Sequence, residues 1–316
     1  FYRTLDLTPY KNTLKEKTRM TNKTSNLAIV EKTLTPYPLK PIAGRLIADK
    51  IFNALCYLAG IIVLIFLVSI AATLITKGAH GWTSQLFTQI TPPPGETTGG
   101  LKNAIIGSLI MSVLGIALAT IVGIASATYL SEFCRNQKLI DSINSFNDLL
   151  LSAPSIIIGL FAYAILVKTL GRFNAIAGII ALAIIALPMI HRTVYDAMGL
   201  VSTSLRESAV ALGMSRVKVT ISIIFKTARL SIITVILLAF ARVLGETAPL
   251  LFTSLNNSFM STDLLRPMAS LPVVIYQYSM SPDPYWKELA WSGALLITIT
   301  VLVLNLIAKT IARDKQ

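Results

Sequence analysis

Long apolar runs alternate with short charged segments in this chain, and that alternation confines it to a membrane. Runs free of formal charge lie between Lys50 and Lys77, Lys102 and Glu132, Asp148 and Lys168, Arg172 and His191, and Glu288 and Lys309. One more run, about Leu230 to Ser254, is interrupted only by Arg242 and Glu246. Each is long enough to cross roughly 30 Å of hydrocarbon as a helix. Charged residues make up 14% of the 316, against about 25% in ordinary soluble domains. The pattern predicts an all-α polytopic membrane protein with six transmembrane helices and both termini on one side.

The spans divide the chain into a basic N-terminal tail (1–49), a first span with an outer loop (50–100), a core of five spans (101–309) and a short C-terminal tail (310–316). The net charge of +13 invites a nucleic-acid reading, but the basic residues sort by membrane side. The N-terminal tail through Lys50, the segments after spans two and four, and the C-terminal tail hold 21 of the 28 Lys and Arg. The positive-inside rule therefore places both termini in the cytoplasm and makes the lipid bilayer, not nucleic acid, the partner of this charge. The chain begins at Phe1 rather than Met, so an upstream piece is expected to be absent or removed. Residues 1–45 contain no apolar core and are not expected to be a secretory signal peptide. Cys56 and Cys134 form no disulfide framework or metal spacing. His80 and His191 are each expected in a loop without a ligand partner, so no metal site is expected.

Arg242 and Glu246 stand out because charge at bilayer depth costs about 2.5–3.5 kcal/mol on insertion scales. Four residues apart, they are expected to share one face of the fifth span, about one turn from each other. Such residues face a protein interior or an aqueous path; the alternative is a structural pair locking this span to a neighbour. Span three opens with Ser152-Ala-Pro154-Ser155. There the two serines either line a polar path or bond back to their own backbone. Gly115, Ala119, Gly123 and Ala127 form a stripe of small residues on span two, suited to close internal packing. The segment from Lys77 to Lys102, with Pro92-Pro93-Pro94-Gly95, reads as an extended loop, equally a docking surface or a connector.

The segment from His191 to Arg229 is too long for a simple connector. It is expected to start a short helix at Ser204, with Ser204-Leu-Arg-Glu207 as a capping box and Gly213 as the stop. Leu205, Ala209 and Leu212 would share one face. This segment resembles the E-A-A loop of ABC-importer permeases. Glu207, Ala209, Gly213 and Ile223 match that motif in spacing, while Ser208, Phe225 and Lys226 depart from it. Arg242-Val-Leu-Gly-Glu246-Thr-Ala-Pro-Leu-Leu-Phe-Thr253 resembles the segment that characterises PstA-type subunits of phosphate ABC-transporter permeases. The stretches Asn103–Leu109, Ala153–Leu160, Met268–Tyr276 and Leu289–Leu296 agree with it.

The resemblance implies a type I ABC importer permease fold, with a cytoplasmic coupling helix between transmembrane helices 4 and 5. Arg206, Glu207, Ser208, Ala209 and Gly213 would belong to that coupling helix. It implies a heterodimer with a PstC-type permease, two copies of a separate ATPase and an external phosphate-binding protein, in a bacterial inner membrane. The chain contains no G-x-x-x-x-G-K-[ST] loop, so ATP and Mg would be bound by the partner ATPase and no cofactor by this chain. The translocation path would be carried by Arg242, tempered by Glu246, with Thr247, Ser152 and Ser155 as polar contacts. The competing readings are a permease for another oxyanion, such as sulfate or molybdate, an ATP-independent anion carrier and a non-transporting membrane scaffold.

Overall fold

The computed structural model describes residues 42–313, and the regular structure among them is all helical, with no strand. Thirteen helices follow in order: α1 (Ile42–His80), α2 (Ser84–Thr88), α3 (Lys102–Thr128), α4 (Gln137–Ser152), α5 (Ser155–Ala162), α6 (Lys168–Leu170) and α7 (Ala175–Gly199). The rest are α8 (Thr203–Ala211), α9 (Arg216–Val219), α10 (Phe225–Leu244), α11 (Ala248–Thr253), α12 (Leu271–Ser279) and α13 (Pro284–Arg313). Short π-helical segments extend α3 to Phe133, join α5 to α6 and join α9 to α10.

The chain divides into two compact units, one through Val68 and one from Ser69. The described part of the first unit is most of α1, apolar on all sides as suits a lipid-facing helix. The expected N-terminal tail falls outside the described residues as far as 41, and from Ile42 it is already helix. At the other end α13 continues to Arg313, into the expected C-terminal tail.

Five helices, or continuous helical stretches, are individually long and apolar enough to span a membrane; α4 and α5 with its extension form a sixth only as a broken pair. The run Asp148–Lys168 is thus not one straight span. It bends by 103° at Ala153-Pro154, and Leu149–Ser152 belong to the preceding helix. Pro154 enforces this, since its ring excludes a helical approach and its missing N–H cannot continue the ladder.

The core of the second unit is built on α3 and α7, its most extensively packed helix pair. The small-residue stripe makes this packing. A Cβ on Gly115 would sit 3.1 Å from Leu182 Cβ, and one on Gly123 3.1 Å from Ile190 Cγ2. Both helices advance together between these contacts, so they run parallel. His191 is not in a loop, because α7 continues to Gly199; the imidazole is buried between these helices, with Nδ1 2.8 Å from Ser126 Oγ. Asn147 on α4 donates to the carbonyl of Pro188 at 3.0 Å and ties α4 to α7.

The other end of α3 clamps the segment before α12. Asn103 is buried; its Nδ2 donates to Thr91 Oγ1 and to the Asn257 carbonyl, each at 2.9 Å, and its Oδ1 accepts the Thr91 N–H. A Cβ on Gly107 would collide with the Ala269 carbonyl. Ser108 Oγ accepts the Leu271 N–H at 2.6 Å. The Pro-rich segment is held rather than free: Asp283 accepts the Gly95 N–H at 3.1 Å, and Tyr285 donates to the Gly99 carbonyl at 3.0 Å. The Gly95, Tyr285 and Trp286 N–H groups stabilise the Asp283 carboxylate and hold its pKa below the ordinary value.

Candidate functional site: a charged break and a short connecting helix

The fifth span is interrupted where its two charges lie. α10 ends at Leu244, and α11 starts only at Ala248. Gly245 weakens the helix, and Pro249, in the first turn of α11, cannot donate to a helix running through from α10. Arg242 is therefore in the last turn of α10, while Glu246 lies beyond the helix end, within the break. The expectation of two charges on one continuous helical face is corrected accordingly. The side chains still meet, with Arg242 Nε 3.8 Å from Glu246 Oε1. That is an ion-pair distance, too long for a hydrogen bond.

The two sides of the pair differ in access. Ala241, Val243 and Leu244 are buried, whereas the Arg242 side chain is 45% exposed and that of Glu246 16%. Among the described residues the Arg242 guanidinium makes no hydrogen bond, which leaves its donors available. A guanidinium presents a planar fork that matches the oxygens of a tetrahedral anion. A cation at the C-terminal end of a helix is also favoured by the exposed carbonyls there.

Thr247 lies half-buried in the same break, and its carbonyl accepts the Leu251 N–H at 3.2 Å. α5 reaches the far side of the break, since a Cβ on Gly159 would come within 2.6 Å of Pro249 Cα. Ser155 is one turn before Gly159 and shares that face of α5. Ser152 stands apart: it ends α4 and donates to its own Leu149 carbonyl at 2.9 Å. Arg242, Glu246 and Thr247 are thus gathered at one break, Ser155 is on the helix beside it, and Ser152 is bonded back to its backbone.

In the segment between α7 and α9, α8 begins at Thr203, with Ser202 at the N-cap position. The expected capping box does not form: Ser204 Oγ lies 3.4 Å from Ser202 Oγ. The expected stop does form. Gly213 has φ +84°, its N–H donates to Val210 O at 2.9 Å, and the Met214 N–H donates to Ala209 O at 3.2 Å. That pair of bonds is a Schellman motif, in which glycine takes the left-handed position at little cost. Ala209 is buried against the core, while Leu205, Leu212, Glu207 and Ser208 are exposed. The expected apolar face is therefore divided between inward and outward residues.

Arg206 faces inward. Its Nη1 lies 2.9 Å from Glu132 Oε1, at the end of the π-helical extension of α3, and its Nη2 donates to the Met198 carbonyl of α7. The side chains are 23% and 10% exposed. Sequence reading missed Glu132, whose partner is 74 positions away. Beside the pair lies a cleft of about 540 Å³ lined by Ser131, Glu132, Arg206, Glu207, Arg216 and Thr220, among others.

Residues 115–314 match the family described as the binding-protein-dependent transport system inner membrane component. The phosphate transport system permease protein PstA of Yersinia pestis is 46% identical over 253 residues, covering 80% of this chain and 86% of the relative. That of Haemophilus influenzae is 46% identical, covering 85% and 95%. The chain belongs to this permease family. Even the probable PstA of Methanocaldococcus jannaschii, at 32% identity, covers 84% of this chain and 94% of the relative. The fold agrees. A permease chain from a bacterial ABC transporter involved in alginate import superposes with a TM-score of 0.57 at 16% identity, over 87% of this chain and 99% of that one. A chain of the MetNI methionine ABC transporter superposes with a TM-score of 0.56 at 17% identity, over 67% and 94%. The chain is thus a multi-pass membrane permease with the type I ABC importer fold.

Proposed function

We infer that this permease carries inorganic phosphate inward in an ATP-driven importer and that Arg242 is the anion-facing group of its path. One observation carries the assignment of the arginine. It projects, 45% exposed, from a helix end whose neighbouring residues are buried, beside a carboxylate 3.8 Å away. That arrangement offers a fork of donors to phosphate oxygens without a tight internal competitor. Glu246 lowers the net positive charge of the break, so that a bound dianion is released. Its carboxylate also accepts a hydrogen bond from a protonated phosphate oxygen, which sulfate lacks at neutral pH. Thr247 and Ser155 are further polar contacts, with Ser152 a weaker candidate because its hydroxyl is already engaged.

The chain forms one half of the path, with a PstC-type permease as the other half, and both termini lie in the cytoplasm. An external phosphate-binding protein delivers the anion, and two copies of a separate ATPase hold ATP and Mg. Helix α8, through the exposed Glu207 and Ser208, is the surface that seats in the ATPase. ATPase closure moves it as a rigid body and alternates access.

The test is radiolabelled phosphate uptake into proteoliposomes holding this chain, the companion permease and the ATPase, with binding protein outside and ATP inside. ATP-dependent uptake that excess sulfate does not suppress is the expected result. Uptake by this chain alone, without ATP, would contradict the importer, and strong sulfate competition would reassign the substrate.

A further inference from the structure

We propose that Arg206 and Glu132 form a positioning clasp that passes the movement of α8 to α3, and through α3 to the outer face of the permease. The proposal rests on the phosphate-importer reading above. Helix α8 is already joined through the chain to α7 on one side and to α9 and α10 on the other. It has no chain connection to α3. Arg206 supplies one: its Nη1 lies 2.9 Å from Glu132 Oε1 and 3.1 Å from Oε2, and Ser131 Oγ donates to Oε1 at 3.0 Å. The same guanidinium donates to the Met198 carbonyl, so three helices meet on one planar group. The fork geometry is what holds them together, because an ammonium is a point charge that serves one partner at a time.

α3 is a suitable rod. It has 27 residues and spans about 40 Å at 1.5 Å per residue. Its far end is locked by Asn103, Gly107 and Ser108 onto the segment from Asn257 to Leu271. A displacement of α8 therefore reaches the outer segments through side chains that are packed and hydrogen-bonded at both ends. Glu207, the next residue, is exposed and lines the open cleft beside the pair, so adjacent positions divide the work: Glu207 is open to solvent while Arg206 grips the permease.

The experiment uses the reconstituted complex and reads two ratios per assembled complex. These are phosphate imported per ATP hydrolysed, and the stimulation of ATP hydrolysis by the binding protein. Arg206→Gln and Glu132→Gln are each expected to lower both ratios about tenfold, within the usual span of coupling between sites. Arg206→Lys should fall between them and the native protein. The exchanged pair, Arg206→Glu with Glu132→Arg, should recover most of the loss. Native ratios in the single variants would overturn the clasp, as would an exchanged pair that assembles but performs no better than either single variant. Should Arg206→Gln fail to assemble, Arg206→Lys decides: native ratios in it overturn the proposal. If the native complex shows binding-protein stimulation but imports no phosphate, the substrate reading fails, and the clasp is judged on stimulation alone.

Discussion

Two Arg–Glu pairs in this permease have the same chemistry and opposite constructions. Arg242 and Glu246 are four residues apart and stand 3.8 Å apart at a helix break, with the arginine 45% exposed. Arg206 and Glu132 are 74 positions apart and meet at 2.9 Å, with the carboxylate 10% exposed. The first pair leaves its guanidinium donors open. The second engages both of its terminal nitrogens, Nη1 with a carboxylate and Nη2 with a carbonyl. On the reading proposed above, the arginine with open donors meets the passing anion, while the one held by a carboxylate and a carbonyl serves as a joint. Proximity in sequence is a poor guide to which is which.

The largest expected contrast is in stability. Removing one partner of this largely shielded, charge-assisted pair leaves the other without its partner and costs about 1.5–3 kcal/mol. Glu132→Ala is therefore expected to lower the thermal midpoint in detergent markedly, while Glu246→Ala, in a loose and accessible pair, should change stability by about 1 kcal/mol or less. Equal losses would erase the distinction between joint and open site.

A smaller effect separates the clasp from the intrinsic helix stop. Gly213 has φ +84°, so Gly213→Ala should cost about 1 kcal/mol by forcing a Cβ into the left-handed region. Hydrogen exchange of the α8 amides would show fraying at its C-terminal end, with Arg206 still holding the first turn. Loss of protection across the whole helix would mean that the cap, not the clasp, holds it.

The smallest effect concerns a third carboxylate, Asp283, held by backbone N–H groups rather than by an arginine. Those groups lower its pKa, so the charged form favours the native state. The stabilisation is complete above the ordinary carboxylate pKa and is lost as pH falls through the lowered native value. Melting of the native protein and of Asp283→Asn should therefore differ at neutral pH and converge in acid. A difference that persists unchanged in acid would show that the tie to Gly95 does not depend on the charge.

Much of this architecture was legible in the sequence. The runs ending at Lys77, Glu132, His191 and Lys309 correspond to the apolar parts of α1, α3, α7 and α13. The stripe at Gly115 and Gly123 is the packing seam it was expected to be. The breaks were less legible, because a hydropathy run counts charges and not backbone chemistry. Pro154 turned one expected span into two helices at 103°, and Gly245 with Pro249 ended α10 in the middle of another. His191 was placed in a loop because its charge-capable ring ended the apolar run, although a buried imidazole bonded to Ser126 extends the helix interface instead. The Ser204 capping box had the right residue types in a register shifted from the actual start at Thr203. Arg206 could not be assigned to the interior at all, because its partner lies on another helix.

The central claim is that the open pair faces the anion. The most direct measurement is phosphate uptake by the reconstituted importer carrying Arg242→Gln, alongside ATP hydrolysis and assembly of the same complex. Loss of charged hydrogen bonds to the passing anion predicts uptake lower by about 10- to 100-fold, with the complex assembled and ATP still hydrolysed. Uptake at the native rate in an assembled Arg242→Gln complex would contradict the claim and place the anion path away from the break.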